Sequence, residues 1–323
     1  MDNRSLLKRV LSALLTLAVM FGSCALAESS EDLKPGSITV TDLRATQGLD
    51  DSWVNILFLG ANSLALTAAS HSSTIMICSI NKLTGEVKIT SLMGDTEVRI
   101  EGKSCKLSSA YTYGGAKLAV RTVNEYFGMN ITMYVVVDFT GFASLVEKIG
   151  GIEVDLTEDE ISEINKVVLN QYDHFVKQGS MKPEAARKAY DAGMLEKGGT
   201  GIHLNGMQTL AYARIRTANS DFERTERQRR MLNLLIVKLK TKNTFELLEL
   251  LLDSMDVMKI NLDTNTIMAL GMRILFQEAF SSAGTFAVPV QGSYREKRLG
   301  SETVLGDVDF EINRQKLHSF IYR

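Results

Sequence analysis

Three short apolar runs limit this fold more than any other feature of the chain: Val54–Leu59, Thr74–Ile80 and Tyr134–Val137. Each is rich in β-branched or aromatic residues and too short for a buried helix. A continuous apolar run of this length reads as a strand covered on both faces. The first ends at Gly60. The second leads through the turn Asn81-Lys-Leu-Thr-Gly85 into a further strand, Val87–Ser91, which makes a hairpin. Between these strands lie helical patterns. Tyr113-Gly-Gly-Ala116 opens a helix reaching about Phe127, with Leu118, Val120, Val123 and Tyr126 or Phe127 on its apolar stripe. A second helix covers Phe139–Ile149 and is closed by Gly150-Gly151, after which Ile152–Leu156 is a short strand. Strands alternating with helices predict an α/β domain with a central mixed sheet.

The rest of the chain is arranged around that unit. Residues 1–27 carry Arg4, Lys8 and Arg9, then an uncharged run Val10–Leu26, then Ala25-Leu-Ala27, the pattern of an export signal. The run also reaches the short limit for a retained membrane anchor, so cleavage and retention stay open. Residues 28–51 are polar and read as a linker. The main domain is expected over 52–240, with the charged, helix-prone stretch 157–200 as a peripheral insertion. Leu210–Ile215 fits strand or helix equally, and a long helix is expected over 222–240. Residues 241–323 are expected to add helices, and strands at Thr285–Val290 and Val308–Ile312, packed on the same domain.

Composition excludes several classes of function. With 36 basic and 38 acidic side chains the formal charge is −2, which rules out a generally basic nucleic-acid binder. Four histidines, none paired at i,i+4, and three cysteines exclude a zincin site and a disulfide scaffold. An exported chain permits a Cys78–Cys105 disulfide, and two buried thiols fit the sequence equally well.

Six arginines fall within the 17 residues from Arg214 to Arg230, against three acids. Alternation in Arg214-Ile215-Arg216 puts both guanidinia on one side if that segment is extended. Ser220-x-x-Glu223 reads as a capping box, so Arg224, Gln228 and Met231 share one helix face with Arg227 beside them. Helix N-termini favour anions, and arginine presents a planar fork suited to phosphate. The competing reading is a solvated helix whose arginines pair with Glu223 and Glu226.

Several separate blocks carry a family resemblance. They are Asn55–Gly60, Thr74–Ile77, Tyr111-Thr-Tyr-Gly-Gly115, Tyr134–Phe139 with Gly150–Asp155, and Leu204–Arg216 through Arg224-Thr-Glu-Arg-Gln-Arg229. In order and spacing they resemble the LytR-CpsA-Psr family of cell-envelope proteins over roughly 52–240. The resemblance implies a three-layer α/β/α sandwich, a single large domain outside the membrane. It also implies a polyprenyl-pyrophosphate lipid carrier as donor, and transfer of its glycopolymer to peptidoglycan or another glycopolymer acceptor. The partners then exclude nucleic acid and include the membrane surface, with the protein acting as a monomer.

Carried over by position, Arg214 and Arg216 match the family's paired catalytic arginines, and Arg214, Arg216, Arg224, Arg227 and Gln228 form its pyrophosphate cradle. The family's Mg²⁺ is held by aspartates, and here the chain departs from the pattern. Asn62 and Ser73 stand where carboxylates are usual, and Met93-Gly94-Asp95-Thr96 lacks the family's phosphate-binding arginine but keeps Asp95, so the candidate metal ligands are Asn62 and Asp95. Two functions follow: a phosphotransferase of envelope glycopolymers, or a catalytically inactive accessory protein that keeps the lipid and pyrophosphate pocket.

Overall fold

The computed structural model of the chain describes residues 37–61, 72–177, 181–215, 258–263 and 284–323, and within 227–270 also 227, 230, 231, 234, 235, 238, 241, 242, 246, 250, 265–267, 269 and 270. The targeting segment 1–27 lies outside the described residues. Residues 37–51 are held on the domain: Val40 is buried, Ile38 N–H donates to Tyr113 O at 3.0 Å, and Thr46 N–H donates to Met129 O at 2.9 Å. This part of the expected linker is therefore a strap across the domain.

The strands in chain order are β1 (Trp53–Ala61), β2 (Ser72–Asn81), β3 (Val87–Leu92), β4 (Glu97–Ile100), β5 (Lys103–Lys106), β6 (Met133–Val137), β7 (Ile152–Leu156), β8 (Gly199–Leu204), β9 (Met258–Ile260), β10 (Gly284–Val288), β11 (Arg295–Leu299) and β12 (Glu302–Gly306). The helices with continuous description are α1 (Ser109–Phe127), α2 (Phe139–Ile149), α3 (Glu158–Lys177), α4 (Pro183–Ala192), α5 (Gly206–Arg214) and α6 (Phe310–Tyr322). Six strands form one mixed sheet in the order β10-β3-β2-β1-β6-β9. β1 runs parallel to β6, and β3 parallel to β10, while β2 and β9 run against their neighbours. The carboxyl ends of β1, β3, β6 and β10 therefore share one edge of the sheet with the starts of β2 and β9.

Both faces of the sheet are buried, as the unbroken apolar runs require. Leu57, Leu59, Ile75, Ile77 and Val136 face one core with α1 and α6. Ile56, Phe58, Met76, Val135 and Val137 face the other, with α2, α3, α5 and the helical residues Met231 and Leu235. Leu57 and Ile77, a cross-strand pair, are completely buried, each worth roughly 2–3 kcal/mol of apolar burial. This is the three-layer α/β/α arrangement. Cys78 sits in one core and Cys105 in the other. Both are free thiols that burial pushes up to about 12, so the disulfide reading is wrong because the sheet stands between them.

Three expectations change, and one reading left open is settled. α1 begins at Ser109, and the Gly114-Gly115 pair is a kink inside it rather than its start. Leu210–Ile215 is the end of helix α5. Val308–Ile312 is not a strand: Asp309 accepts from Ile312 N–H at 3.0 Å and starts α6, whose residues Asn313, Leu317 and Ile321 recur every four positions on the core. Finally, α3 within 157–200 is integral, because Ile161, Ile164 and Val168 are buried in the main core. Among the described residues, no helix is long and apolar enough to cross a membrane.

Candidate functional site

Helix α5 carries the central side chain to the strand-end edge. Its start is fixed by Asn205, whose Oδ1 accepts from Gln208 N–H at 2.9 Å while Asn205 N–H donates to Gln208 Oε1 at 2.7 Å. A cap of this kind contributes about 1 kcal/mol. Gly206 N–H donates to Glu147 Oε2 at 2.8 Å. A Cβ at Gly206 would overlap the carbonyl oxygen of Ala143, so glycine is what lets α5 lie directly on α2. The antiparallel packing brings the last residue of α5, Arg214, over the first residue of α2, Phe139. The guanidinium carbon lies 4.2 Å from the ring centroid, a cation–π contact.

Arg214 is only partly exposed, and its Nε is sealed from solvent with no hydrogen-bond partner among the described residues. Burial lowers its pKa from 12.5 to about 10, so it stays charged at neutral pH. A poorly solvated cation beside an aromatic ring, at the carboxyl ends of parallel strands, is suited to an anion at the place where α/β sheets commonly bind ligands. Asp138 occupies the same edge as N-cap of α2, its Oδ1 accepting from Gly141 N–H at 2.7 Å. Burial pushes its pKa up, against the lowering effect of the Gly141 and Thr140 backbone N–H groups. Tyr111 responds to it: burial first, then the charges of Asp138 and Tyr134, push the phenol up to about 12.

Arg227 has a different position from the one its motif suggests. It is 7% exposed, its Nη1 donates to Ile215 O at 2.6 Å, and its Nε lies 3.7 Å from Glu160 Oε1. It therefore grips the chain immediately after Arg214 and acts as a positioning residue. Arg230 lies 3.2 Å from Asp155 Oδ2, and the buried Tyr212 hydroxyl bonds to Arg230. The acids serving this helix thus include Glu160 of α3 and Asp155 of β7, residues that sequence distance concealed. Arg216, Arg224, Gln228 and Asn62 lie outside the described residues, as does the side chain of Ser73.

Asp95 follows β3 on the same edge, but Lys106 takes its carboxylate. The ammonium lies 2.9 Å from Asp95 Oδ1 and 3.4 Å from Glu302 Oε2, and Leu305 N–H donates to Asp95 O at 2.9 Å. The triad ties β5 and β12 to the turn after β3. A nearly buried ammonium at this distance opposes a dication on the same oxygen. Among the described residues there is no group of three His, Cys, Asp or Glu side chains able to hold a metal. The described residues therefore do not by themselves supply a Mg²⁺ site at Asp95.

Fold and site together define an α/β/α domain with a half-buried, aromatic-stacked cation at its strand ends. The chain belongs to the LytR_cpsA_psr family, whose model matches residues 19–313. Among its relatives, the polyisoprenyl-teichoic acid–peptidoglycan teichoic acid transferase TagV of Bacillus subtilis is 29% identical over 199 residues, 58% of this chain and 44% of that protein. The transferase TagU of Enterococcus faecalis is 31% identical over 210 residues, 60% of this chain and 59% of that one. The chain thus aligns with about half the length of these relatives. The crystal structure of B. subtilis TagV superposes with a TM-score of 0.58 at 23% identity, covering 85% of this chain and 99% of that one. TagT bound to LIIa-WTA superposes at 0.55 and 21%, covering 92% and 98%. These likenesses establish a shared fold.

Proposed function

We propose that this chain is an exported envelope protein that binds the pyrophosphate of a polyprenyl-linked glycopolymer at the strand-end edge, as a relative of the transferases that attach such polymers to peptidoglycan. The observation that carries the reading is Arg214, a cation stacked on Phe139 whose buried Nε has no partner among the described residues. A pyrophosphate oxygen would supply that partner through a charge-assisted bond. Arg227 holds the backbone after Arg214, and the α5–α2 contact at Gly206 fixes the approach. The family membership of the chain and the names of its relatives support the lipid-linked polymer as ligand.

Transfer would form a bond from an acceptor hydroxyl oxygen to the sugar-bearing phosphorus and break that phosphorus's bond to the polyprenyl phosphate, which leaves while the hydroxyl proton passes to solvent. In this chain the residues act by binding and orienting that phosphorus. A second reading, binding without transfer, is favoured by one specific observation: Asp95 is occupied by Lys106. The test is labelled polyprenyl-pyrophosphate saccharide with the wild type and Arg214→Ala, with and without Mg²⁺. Binding and Mg²⁺-dependent transfer, both lost in the variant, establish the transferase. Binding without turnover establishes the accessory protein, and wild-type protein that does not bind overturns both.

A further inference from the structure

Arg214 stands where a guanidinium does not rest unaided: poorly solvated, with a sealed Nε that has no partner among the described residues. An unfavourable placement of this kind persists only where the surrounding structure over-determines it. Helix α5 does not do so alone, because the chain leaves the helix at Ile215, whose backbone (φ −59°, ψ 141°) is no longer helical. What fixes the chain there reaches back to α3. Arg227 donates from Nη1 to Ile215 O at 2.6 Å, and its Nε lies 3.7 Å from Glu160 Oε1. These two side chains are only 8% and 19% exposed, whereas those of Arg230 and Asp155 are 47% and 61% exposed. A shielded pair keeps its strength, while an exposed one is screened and contributes little.

Glu160 is itself held before it meets Arg227. Thr157 N–H donates to Glu160 Oε2 at 3.0 Å, and Glu160 N–H donates to Thr157 Oγ1 at 3.2 Å, a capping box that starts α3. One carboxylate oxygen is thus engaged by the cap while the other faces the arginine. Gly198 braces this turn. A Cβ there would lie 2.8 Å from Leu156 O and 3.0 Å from Glu158 N, so the returning chain presses directly on the start of α3. The buried Tyr212 of α5 senses the same charges: burial raises the pKa of its phenol, Arg230 lowers it, Glu160 raises it and Arg227 lowers it. The carboxylate of Glu160 therefore acts beside α5, although it belongs to α3.

We propose that Glu160 is a positioning residue of the anion site: with one oxygen capping α3 and the other aiming Arg227 at Ile215 O, it holds the end of α5 so that Arg214 stays over Phe139. The inference rests on the reading of Arg214 as the anion-binding residue. It carries a sign that charge alone does not give. A carboxylate near a bound anion opposes binding through its field, so removing it would tighten binding. Removing a positioning carboxylate weakens it.

The test compares the whole chain in detergent with Glu160→Gln, Glu160→Asp and a control for charge alone, Glu163→Gln, whose carboxylate pairs with Lys166 at 2.6 Å on the same helix. Glutamine keeps the capping box and removes the charge facing Arg227. Aspartate keeps that charge, so the fold is not left with an unpaired Arg227, and withdraws it by one methylene. The first readout needs no ligand: the Arg214 Nε–H signal in proton–nitrogen correlation spectra, identified by its absence from Arg214→Met. In the wild type it is displaced by the Phe139 ring and protected from exchange with water. Its exchange quickens about tenfold or more in Glu160→Gln, less in Glu160→Asp, and not in Glu163→Gln. The second readout is titration with inorganic pyrophosphate, whose Kd rises about tenfold in Glu160→Gln and is unchanged in Glu163→Gln. The proposal is overturned by an Arg214 signal that both Glu160 variants leave in place, or by pyrophosphate affinity that is unchanged or tighter in Glu160→Gln. A wild type that binds no pyrophosphate, while its Arg214 signal still responds to Glu160→Gln, overturns the anion reading and supports the positioning role.

Discussion

Replacing Arg214 by methionine should make this protein more stable and less able to bind its ligand. The guanidinium is held with its Nε buried and without a partner among the described residues, and burial alone lowers its pKa from 12.5 to about 10. Each pKa unit corresponds to about 1.4 kcal/mol, so the unfavourable burial has a ceiling of about 3 kcal/mol. Stacking on Phe139 at 4.2 Å returns about 1–2 kcal/mol of that. Methionine keeps the length and apolar stem of arginine and removes the charge. The net expectation for Arg214→Met is about 1–2 kcal/mol of added stability, a few degrees in Tm for a domain of this size. The sign with pH follows: a lowered basic pKa means the penalty is fully present below about 10 and fades as pH rises above it, so the advantage of the variant should shrink only in strong alkali. The assay is urea unfolding of both proteins with and without pyrophosphate. At a hundredfold excess over Kd, the ligand should stabilise wild type by about 2.7 kcal/mol and leave the variant nearly unmoved. If Arg214→Met instead loses more than about 1 kcal/mol, Arg214 is a structural residue and the reasoning fails.

Three further perturbations test the scaffold around the site. Gly206→Ala places a Cβ on the carbonyl of Ala143, so it should cost about 3 kcal/mol in urea unfolding and weaken pyrophosphate binding by displacing α5. Asp138 has a raised pKa in the folded protein, so its carboxyl holds a proton to higher pH than in the unfolded chain, and stability falls as pH rises through that window. Asparagine caps equally well, so Asp138→Asn should match wild type below about pH 4 and exceed it at neutral pH in thermal melts. Cys78 and Cys105, buried on opposite faces of the sheet, should react with a thiol reagent only after unfolding, and reduction should leave their peptide masses unchanged.

The fold was legible where composition is extreme. Runs such as Ile56–Leu59 and Tyr134–Val137 admit little except buried strands, and Gly150 ended α2 where its position suggested. Weaker periodicity hid other elements. β4, β5, β11 and β12 are half-exposed hairpins four or five residues long, and their register depends on partners distant in the chain. The site was legible as a residue type and less so as a geometry. The arginine cluster was visible, but its roles depend on acids supplied by α3 and β7. Nothing local indicates that Arg227 turns inward to Ile215 O or that Lys106 takes Asp95.

The central claim is that the strand-end edge, through Arg214, holds a polyprenyl pyrophosphate. It is tested most directly by extracting lipid from the whole chain purified out of cell membranes and identifying it by mass spectrometry, beside Arg214→Met prepared in the same way. The account predicts polyprenyl phosphate or pyrophosphate near one equivalent in the wild type and a loss of at least about tenfold in the variant. Equal amounts of lipid in both proteins, or none in the wild type, would contradict it.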